Sequence, residues 1–236
     1  MPDDSIIVRK SDERGLADFG WLVSRHTFSF GEYYDPAHMG FRSLRVINQD
    51  RVAPGGGFPT HPHRDMEIFS YVLEGALEHR DSLGNGRTLK PGQIQLMSAG
   101  RGVSHSEFNP SAKEGAHFLQ IWITPHTKGL TPTYTEWHPK PVHVDRPNVL
   151  VISPDGRDHS AVINQDACVH RVRLKAGESV GHELAVGRGL WLQVVSGPVL
   201  LNDVILQPGD GAQTEKPGIY AIKAEADAEA LLFDLK

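Results

Sequence analysis

Frequent turn residues divide this chain of 236 residues into short segments. Between its 24 glycines and 16 prolines, six segments have the composition of strands: SLRVIN, MEIFSYVLEG, IQLMSAG, AHFLQIWI, LWLQVVSG and ALLFDL. No stretch of a dozen residues shows the three-to-four-residue apolar period of an amphipathic helix. The pattern therefore predicts an all-β protein, built as a β-sandwich or jelly-roll barrel rather than from alternating βαβ units.

A pair of similar segments indicates that the β-structure is duplicated. VLEGALEHRDSLGNGRTLKPGQ at residues 72–93 and VVSGPVLLNDVILQPGD at residues 194–210 both read strand, glycine, strand, turn, strand, Pro-Gly. Gly75 matches Gly197, and the second copy has the shorter hairpin. Between the copies lies a proline-rich stretch in which the strand pattern stops. We expect an N-terminal domain at residues 1–125, a linker or crossover at 126–142 and a C-terminal domain at 143–236.

Charge and cysteine content exclude several classes of function. Lys and Arg total 24 against 29 for Asp and Glu, and the net charge of −5 provides no basic surface for nucleic acid or anionic lipid. The first residues are polar and nowhere do eighteen apolar residues run together, so we expect neither a signal peptide nor a membrane span, and a cytoplasmic protein. Cys168 is the single cysteine, which excludes an internal disulfide and a cysteine-rich zinc module.

Histidines and carboxylates at short, even spacing are the strongest sign of chemistry. His61, His63 and Glu67 follow one another in GGGFPTHPHRDMEIF, where even spacing favours one face of one strand. His105 and Glu107 form a second pair in SAGRGVSHSEFN. Imidazole and carboxylate donors converging from two strands would suit Fe, Mn, Co, Ni, Cu or Zn. A mononuclear metal site is therefore the leading hypothesis.

Two alternatives stay open at this point. With 13 histidines in the chain, some close pairs are expected on exposed strands or in the core without any metal. If there is a metal, Glu67 and Glu107 compete for one position. Glu67 lies in an apolar segment, so it must reach the metal or find a hydrogen-bonded partner such as Arg64 or Arg101. Spacing does not decide between them.

The second copy lacks a matching ligand set in the sequence. The offset between Gly75 and Gly197 aligns His61 and His63 with Glu183 and Ala185. The offset between the Pro-Gly pairs aligns His105 and Glu107 with Ile222 and Ala224. His182 is one residue out of this register, which predicts that it faces the other side of its strand. We therefore interpret the second copy as structural.

The motifs resemble those of the cupins. The spacing G-x5-H-x-H-x3-E at residues 55–67 resembles the first cupin motif, and SAGRGVSHSEFN resembles the second. Within the cupins, the run at residues 20–86 resembles the bacterial pirin-like bicupins, with a looser match in the C-terminal half. The resemblance implies two tandem cupin barrels, of which the N-terminal barrel alone holds metal.

The same resemblance implies a ligand set and an activity. The ligands would be His61, His63, His105 and Glu107, with Glu67 outside the metal's own ligands. The cofactor would be one divalent transition metal, Fe(II) in the first place. The activity would be that of a quercetin 2,3-dioxygenase, in which O₂ opens a flavonol such as quercetin with release of CO. Glu107 would then also act as the general base.

A second function is also compatible with the family. Its eukaryotic members are linked to regulation of transcription factors, which would make the chain a non-catalytic, redox-responsive metal protein acting through a protein partner. The aromatic residues around His26 and His38 are relevant to the choice between an enzyme and a non-catalytic protein. It either lines a pocket for a flat substrate or, as such clusters more often do, belongs to the core.

Overall fold

Strands dominate the computed structural model, which describes residues 5–143 and 146–236. The helical segments in these ranges are three one-turn 3-10 helices: Ser11–Glu13, Pro141–His143 and Arg157–His159. The all-β prediction is therefore confirmed. No helix in the described ranges is long and apolar enough to cross a membrane.

The described residues form 22 strands, numbered here along the chain. The first twelve are β1 Ile7–Arg9, β2 Gly15–Asp18, β3 Leu22–His26, β4 Leu44–Val52, β5 Gly57–His63, β6 Glu67–Glu74, β7 Leu77–Asp81, β8 Gly86–Leu89, β9 Ile94–Ser98, β10 Val103–Phe108, β11 Ala116–Ile123 and β12 Thr133–Trp137. The others are β13 Asn148–Ser153, β14 Ala161–Val162, β15 Ala167–Leu174, β16 Ser179–Leu184, β17 Gly189–Ser196, β18 Val199–Leu201, β19 Val204–Leu206, β20 Gly211–Thr214, β21 Gly218–Ala224 and β22 Ala228–Leu235.

The chain forms two compact units. The N-terminal unit contains residues 15–139 and 161–165, and the C-terminal unit contains the other described residues. Strand β1 belongs to the C-terminal unit, where it pairs with β20. Residues 133–137, inside the predicted linker, form β12 and pair with β9 of the N-terminal unit. The predicted domain limits at residues 125 and 143 stay a prediction. The N-terminal unit continues past residue 125 to residue 139 and includes residues 161–165, whereas the described residues before Gly15 belong to the C-terminal unit.

Two antiparallel sheets build the N-terminal unit. The larger has the order β12-β9-β6-β11-β4-β3-β2, and the smaller has the order β5-β10-β7-β8. Apolar side chains from both sheets meet in one buried cluster that includes Val52, Val72 and Phe118 from the larger sheet and Leu77 and Leu89 from the smaller. Successive side chains of a strand alternate between its faces. The even-numbered positions of β4, β6 and β11 therefore face this interior.

The C-terminal unit repeats the smaller sheet of this plan. Its order β16-β21-β18-β19 corresponds to β5-β10-β7-β8, and its larger sheet runs β1-β20-β17-β22-β15-β13. Most of its interior is apolar, with Val172, Leu192 and Leu232 packed against Leu201 and Ile222. The prediction of two tandem β-barrel units is thus confirmed at the level of the fold.

Candidate metal centre

Strands β5 and β10 of the N-terminal unit carry the histidines that the sequence singled out. They pair antiparallel, with His61 opposite His105 and His63 opposite Val103. Between His105 and Glu107 the register shifts by a β-bulge. A bulge re-aims the side chains around it and is frequent beside functional sites.

Three imidazole nitrogens from these strands converge on one point. The Nε2 atom of His105 lies 3.0 Å from Nε2 of His63 and 3.1 Å from Nε2 of His61. Nitrogens bound at about 2.1 Å to neighbouring corners of an octahedral ion lie about 3.0 Å apart, against about 3.4 Å in a tetrahedral ion. The spacing of these three donors would suit one ion bound by all three.

Hydrogen bonds on the far side of two rings fix which nitrogen points inward. Nδ1 of His61 donates to the carbonyl oxygen of Pro59 at 2.8 Å. Nδ1 of His105 lies 3.3 Å from Nδ1 of His79, whose Nε2 lies 3.3 Å from a carboxylate oxygen of Asp81. Such partners set the tautomer and orientation of a metal-binding imidazole. In both rings they leave the Nε2 lone pair facing the common point.

The protonation state of the cluster also suits metal binding. Burial and the neighbouring imidazoles lower the pKa of His63 to about 4 and that of His105 to about 3. Both rings are therefore neutral at physiological pH, with a lone pair available. The Nε2 lone pairs of His61 and His105 face each other at 3.1 Å and repel, and a shared cation would remove that repulsion.

Glu107 lies beside His105 but is held by three donors. Its carboxylate is buried and accepts hydrogen bonds from Ser70 at 2.9 Å, Gln95 at 3.0 Å and Gln120 at 2.5 Å. One of its oxygens lies within 4.8 Å of nitrogens of both His79 and His105. Among the described residues, however, it does not belong to the mutually close group of His61, His63 and His105.

Glu67 occupies a different place from the one that its spacing suggested. The chain leaves β5 after His63 and begins β6 at Glu67, so the two residues do not share a strand and the one-face prediction was wrong. Its carboxylate accepts hydrogen bonds from Ser98 at 2.6 Å and from the backbone of Asn164 at 3.2 Å. Neither Arg64 nor Arg101 is the partner. Burial raises the pKa of Glu67.

A cavity of about 600 Å³ opens beside the cluster. His61 and Glu107 lie in its wall, together with aromatic side chains including Phe30, Phe58 and Trp122. Cavities that hold small ligands are typically of this size and are lined mainly by apolar groups. His26 also lines it, whereas Phe28 and Phe41 are buried in the core, so the aromatic run divides between pocket and core.

Two family models match this chain. The model of the Pirin family matches residues 8–123, and that of the quercetinase C-terminal cupin domain matches residues 150–235. The chain is 48% identical over 230 residues to the quercetin 2,3-dioxygenase of Escherichia coli strain K12, covering 98% of each chain.

The chain belongs to the pirin family. A pirin-like protein from Caulobacter vibrioides is 43% identical, over 94% of this chain and 96% of its own. The crystal structure of the bacterial pirin YhhW from Escherichia coli in complex with nickel(II) superposes with a TM-score of 0.93, at 48% identity and over 98% of each chain. The family and the bicupin fold predicted from the sequence are confirmed.

In this pirin, the residues of the C-terminal unit that correspond to the predicted metal ligands differ from those that the sequence offsets predicted. His79 pairs with Glu107 on β10, and Leu201, at the same distance from the matched glycine, pairs with Ile222 on β21. Ile222 therefore corresponds to Glu107 and not to His105. The offset taken from the Pro-Gly pairs was wrong by two residues because the turns before the two strands differ in length.

His182 of the C-terminal unit is also placed differently from the prediction. It pairs with Tyr220, as His61 pairs with His105, and its neighbours on the same face, Val180 and Leu184, belong to the apolar core. It therefore faces inward, and the predicted outward orientation was wrong. Its Nε2 lies 3.0 Å from an oxygen of Asp234. Both potential ligand groups found in the described part of this pirin lie in the N-terminal unit.

Sequence reasoning missed the side chains that hold the cluster in place. Ser70, Gln95 and Gln120 are buried polar residues within mostly apolar strands, and all three donate to Glu107. A buried polar side chain needs a partner, so such residues were a usable signal. His79 was hidden because it lies two strands from the motif in the sequence and meets His105 only across the β7–β10 pair.

Proposed function

We propose that this pirin is a metal-dependent dioxygenase of the quercetin 2,3-dioxygenase type, which opens the central ring of a flavonol with O₂ and releases CO. The observation that carries the proposal is the set of three imidazole nitrogens, 3.0 and 3.1 Å apart, beside a cavity of about 600 Å³. The relative of 48% identity that bears this enzyme name supports it.

In this proposal His61, His63 and His105 hold one divalent transition metal, and Glu107 is the fourth ligand. The donors are nitrogen and oxygen, a set that accepts several first-row metals, and we propose Fe(II) as the native ion. The solved relative that contains nickel(II) shows that a closely similar chain accepts a divalent metal. When bound, the ion supplies a Lewis acid that lowers the pKa of a substrate hydroxyl.

The chain's own residues then orient the substrate and move one proton. A flavonol carries a 3-hydroxyl next to a 4-carbonyl, and the cavity gives this edge access to the wall formed by His61 and Glu107. We propose that Glu107 accepts the proton of the 3-hydroxyl. Its three donors occupy about three of the four lone-pair positions of a carboxylate, so the one position that remains would serve the metal and the proton in turn. Ser70, Gln95 and Gln120 thereby hold Glu107 in one orientation.

The overall reaction balances without another reductant or oxidant. Two ring bonds of the flavonol break, carbon 3 leaves as CO, and both atoms of O₂ remain in the ester product. The electrons that reduce O₂ come from the flavonol itself. Oxygen uptake and CO release must therefore occur in a ratio of one to one.

The test compares Glu107→Gln with wild type at equal metal content, with quercetin as substrate. Loss of the base should lower kcat by about a hundredfold or more. Glu67→Gln is the matched control, because Glu67 is equally buried and lies outside the histidine cluster. Equal rates in wild type and Glu107→Gln would remove Glu107 as base, and absence of CO release by wild type would remove the proposed activity.

A further inference from the structure

A row of polar side chains forms the wall of the cavity on strands β3 and β4. Across these strands Ser24 pairs with Asp50 and His26 pairs with Asn48, and all four side chains line the cavity. None is more than 6% exposed. We call these four residues the polar wall. None of them is among the proposed metal ligands or the residues that hold Glu107 in place.

The hydrogen bonds within the polar wall leave two of its polar atoms without a hydrogen-bond partner in the described part of the chain. Ser24 donates to Oδ1 of Asp50 at 2.5 Å, and Nδ1 of His26 donates to Oδ1 of Asn48 at 2.8 Å. Oδ2 of Asp50 and Nδ2 of Asn48 make no hydrogen bond within the described residues, and each residue is 3% exposed. Because both residues line the cavity, these two atoms are available to hydrogen-bond a ligand in it.

We propose that Asp50 and Asn48 bind hydroxyl groups on an outer aromatic ring of the substrate, which makes polyhydroxylated flavonols the preferred substrate class. A phenolic hydroxyl both donates and accepts, and here Asp50 offers the acceptor while Asn48 offers the donor. The proposal rests on the proposed function, because it takes the flavonol's chelating edge to lie at the histidine cluster.

The position of the polar wall suits an outer ring rather than the reacting one. Asn48 on β4 pairs with Gln120 on β11, and Gln120 donates to Glu107. Neighbouring strands lie about 4.8 Å apart, so β4 and β3 are about 5 and 10 Å from the strand of Gln120. That span corresponds to the width of one to two aromatic rings. The ring of Tyr33 stacks on His26 at the far end, with centroids 6.3 Å apart and planes 23° apart.

The ionisation of Asp50 adds to its capacity as an anchor. Burial raises the pKa of Asp50 to about 7, against the Ser24 hydrogen bond, and the nearby charge of Glu107 adds to the increase. Near neutral pH the carboxyl group is therefore present in both forms. It accepts a hydrogen bond in the ionised form and donates one in the protonated form.

Binding of two ligands to the wild-type protein with its metal is the first test. Quercetin has hydroxyls on both outer rings, whereas 3-hydroxyflavone has the same chelating edge and none on the outer rings. Calorimetry without O₂ gives the two dissociation constants without turnover. We expect quercetin to bind at least about tenfold more tightly, the effect of one or two matched hydrogen bonds. Equal affinities would overturn the proposal whatever any variant does.

Variants assign the preference to the polar wall. Asp50→Asn and Asn48→Ala, made separately, should each weaken quercetin binding and reduce its advantage over 3-hydroxyflavone to below about threefold. Affinity for 3-hydroxyflavone should stay within a factor of about two. Asp203→Asn makes the same carboxyl-to-amide change at an exposed position of the C-terminal unit and should keep the wild-type ratio. Equal weakening of both ligands by Asp50→Asn would contradict a selective anchor.

Turnover separates failure of the anchor from failure of the proposed activity. If wild type binds quercetin through Asp50 but releases no CO from either flavonol, the proposed reaction fails and the anchor stands. If both flavonols are turned over and Asp50→Asn leaves the KM for quercetin unchanged, the anchor fails and the reaction stands. If both proposals hold, Asp50→Asn raises the KM for quercetin while its kcat changes by less than about threefold.

Discussion

The N-terminal unit places His61 opposite His105, whereas the C-terminal unit places His182 opposite Tyr220 at the corresponding strand pair. Glu107 of the first unit is likewise matched by Ile222 of the second. The two units share the order of their smaller sheets but differ in the side chains at these corresponding positions. The fold itself therefore does not require the polar cluster, and burying it costs stability that an apolar interior does not. Such a departure from a self-consistent core marks a functional site.

The largest expected difference between the units is in metal content. His105→Ala should abolish stoichiometric metal binding and lower flavonol turnover by about a thousandfold, because His105 is the donor within 3.0–3.1 Å of both other imidazoles. His182→Ala should leave one metal per chain. Elemental analysis of the purified variants measures the metal content. Loss of metal from His182→Ala would contradict the conclusion that the N-terminal unit alone holds the ion.

A smaller effect should follow from removing the outer partner of His105. His79→Phe keeps an aromatic ring but deletes the hydrogen bond to Nδ1 of His105, and metal affinity should fall by about 10- to 100-fold. Competition with a chelator of known affinity measures it. His38→Phe, which removes a partly exposed histidine outside the cluster, is the matched control. An unchanged affinity in His79→Phe would show that β10 alone orients His105.

Acid should destabilise the metal-free protein through the N-terminal cluster. The pKa of His63 is lowered to about 4 and that of His105 to about 3, from the ordinary value of 6.5. At a pH between the folded-state pKa and 6.5, each of these histidines binds more protons in the unfolded chain than in the folded one. The free energy of unfolding therefore decreases as pH falls from about 6.5 toward 3–4. Thermal unfolding at pH 7, 5.5 and 4.5 should show this loss, which Asp50 offsets only in part: its raised pKa means that protonation of its carboxyl favours the folded state over the same range.

The double variant His63→Gln, His105→Gln identifies the source of that pH dependence. It should show a shallower fall of unfolding temperature than the wild type over the same range. His170 of the C-terminal unit also has a pKa lowered to about 4 by burial and by His182, so part of the slope should remain. Identical slopes for the variant and wild type would place the acid sensitivity outside the N-terminal cluster.

The smallest effect is expected in the C-terminal unit. His182→Gln should lower the free energy of unfolding by about 1 kcal/mol, because the hydrogen bond to Asp234 is lost while Arg188 remains as a partner of that carboxylate. Chemical denaturation measures the change, with metal content unaltered. A loss above about 3 kcal/mol would mean that His182 is a central element of that unit.

The sequence predicted the features that depend on local pattern. Short apolar segments between turn residues predicted the β-structure, and the spacing of His61, His63 and His105 predicted their convergence. The strand segments and the two pairs, His61 with His63 and His105 with Glu107, are each a pattern of residues close together in the chain. Family resemblance then selected Glu107 over Glu67 as a ligand, which stays a prediction.

Features that depend on register or on distant strands were missed. Glu67 appeared to continue β5, but a break after His63 starts a new strand, so even spacing did not mean one face. The offset drawn from the Pro-Gly pairs misplaced Ile222 for a similar reason, since turns of different length precede the two strands. His79 meets His105 only through cross-strand pairing, which no local pattern encodes.

X-ray data collected at the absorption edge of the bound metal would locate the ion in the protein. We predict one anomalous peak per chain, in the N-terminal unit, within bonding distance of Nε2 of His61, His63 and His105. A peak elsewhere in the chain, or an ion bonded to none or only one of these nitrogens, would contradict it.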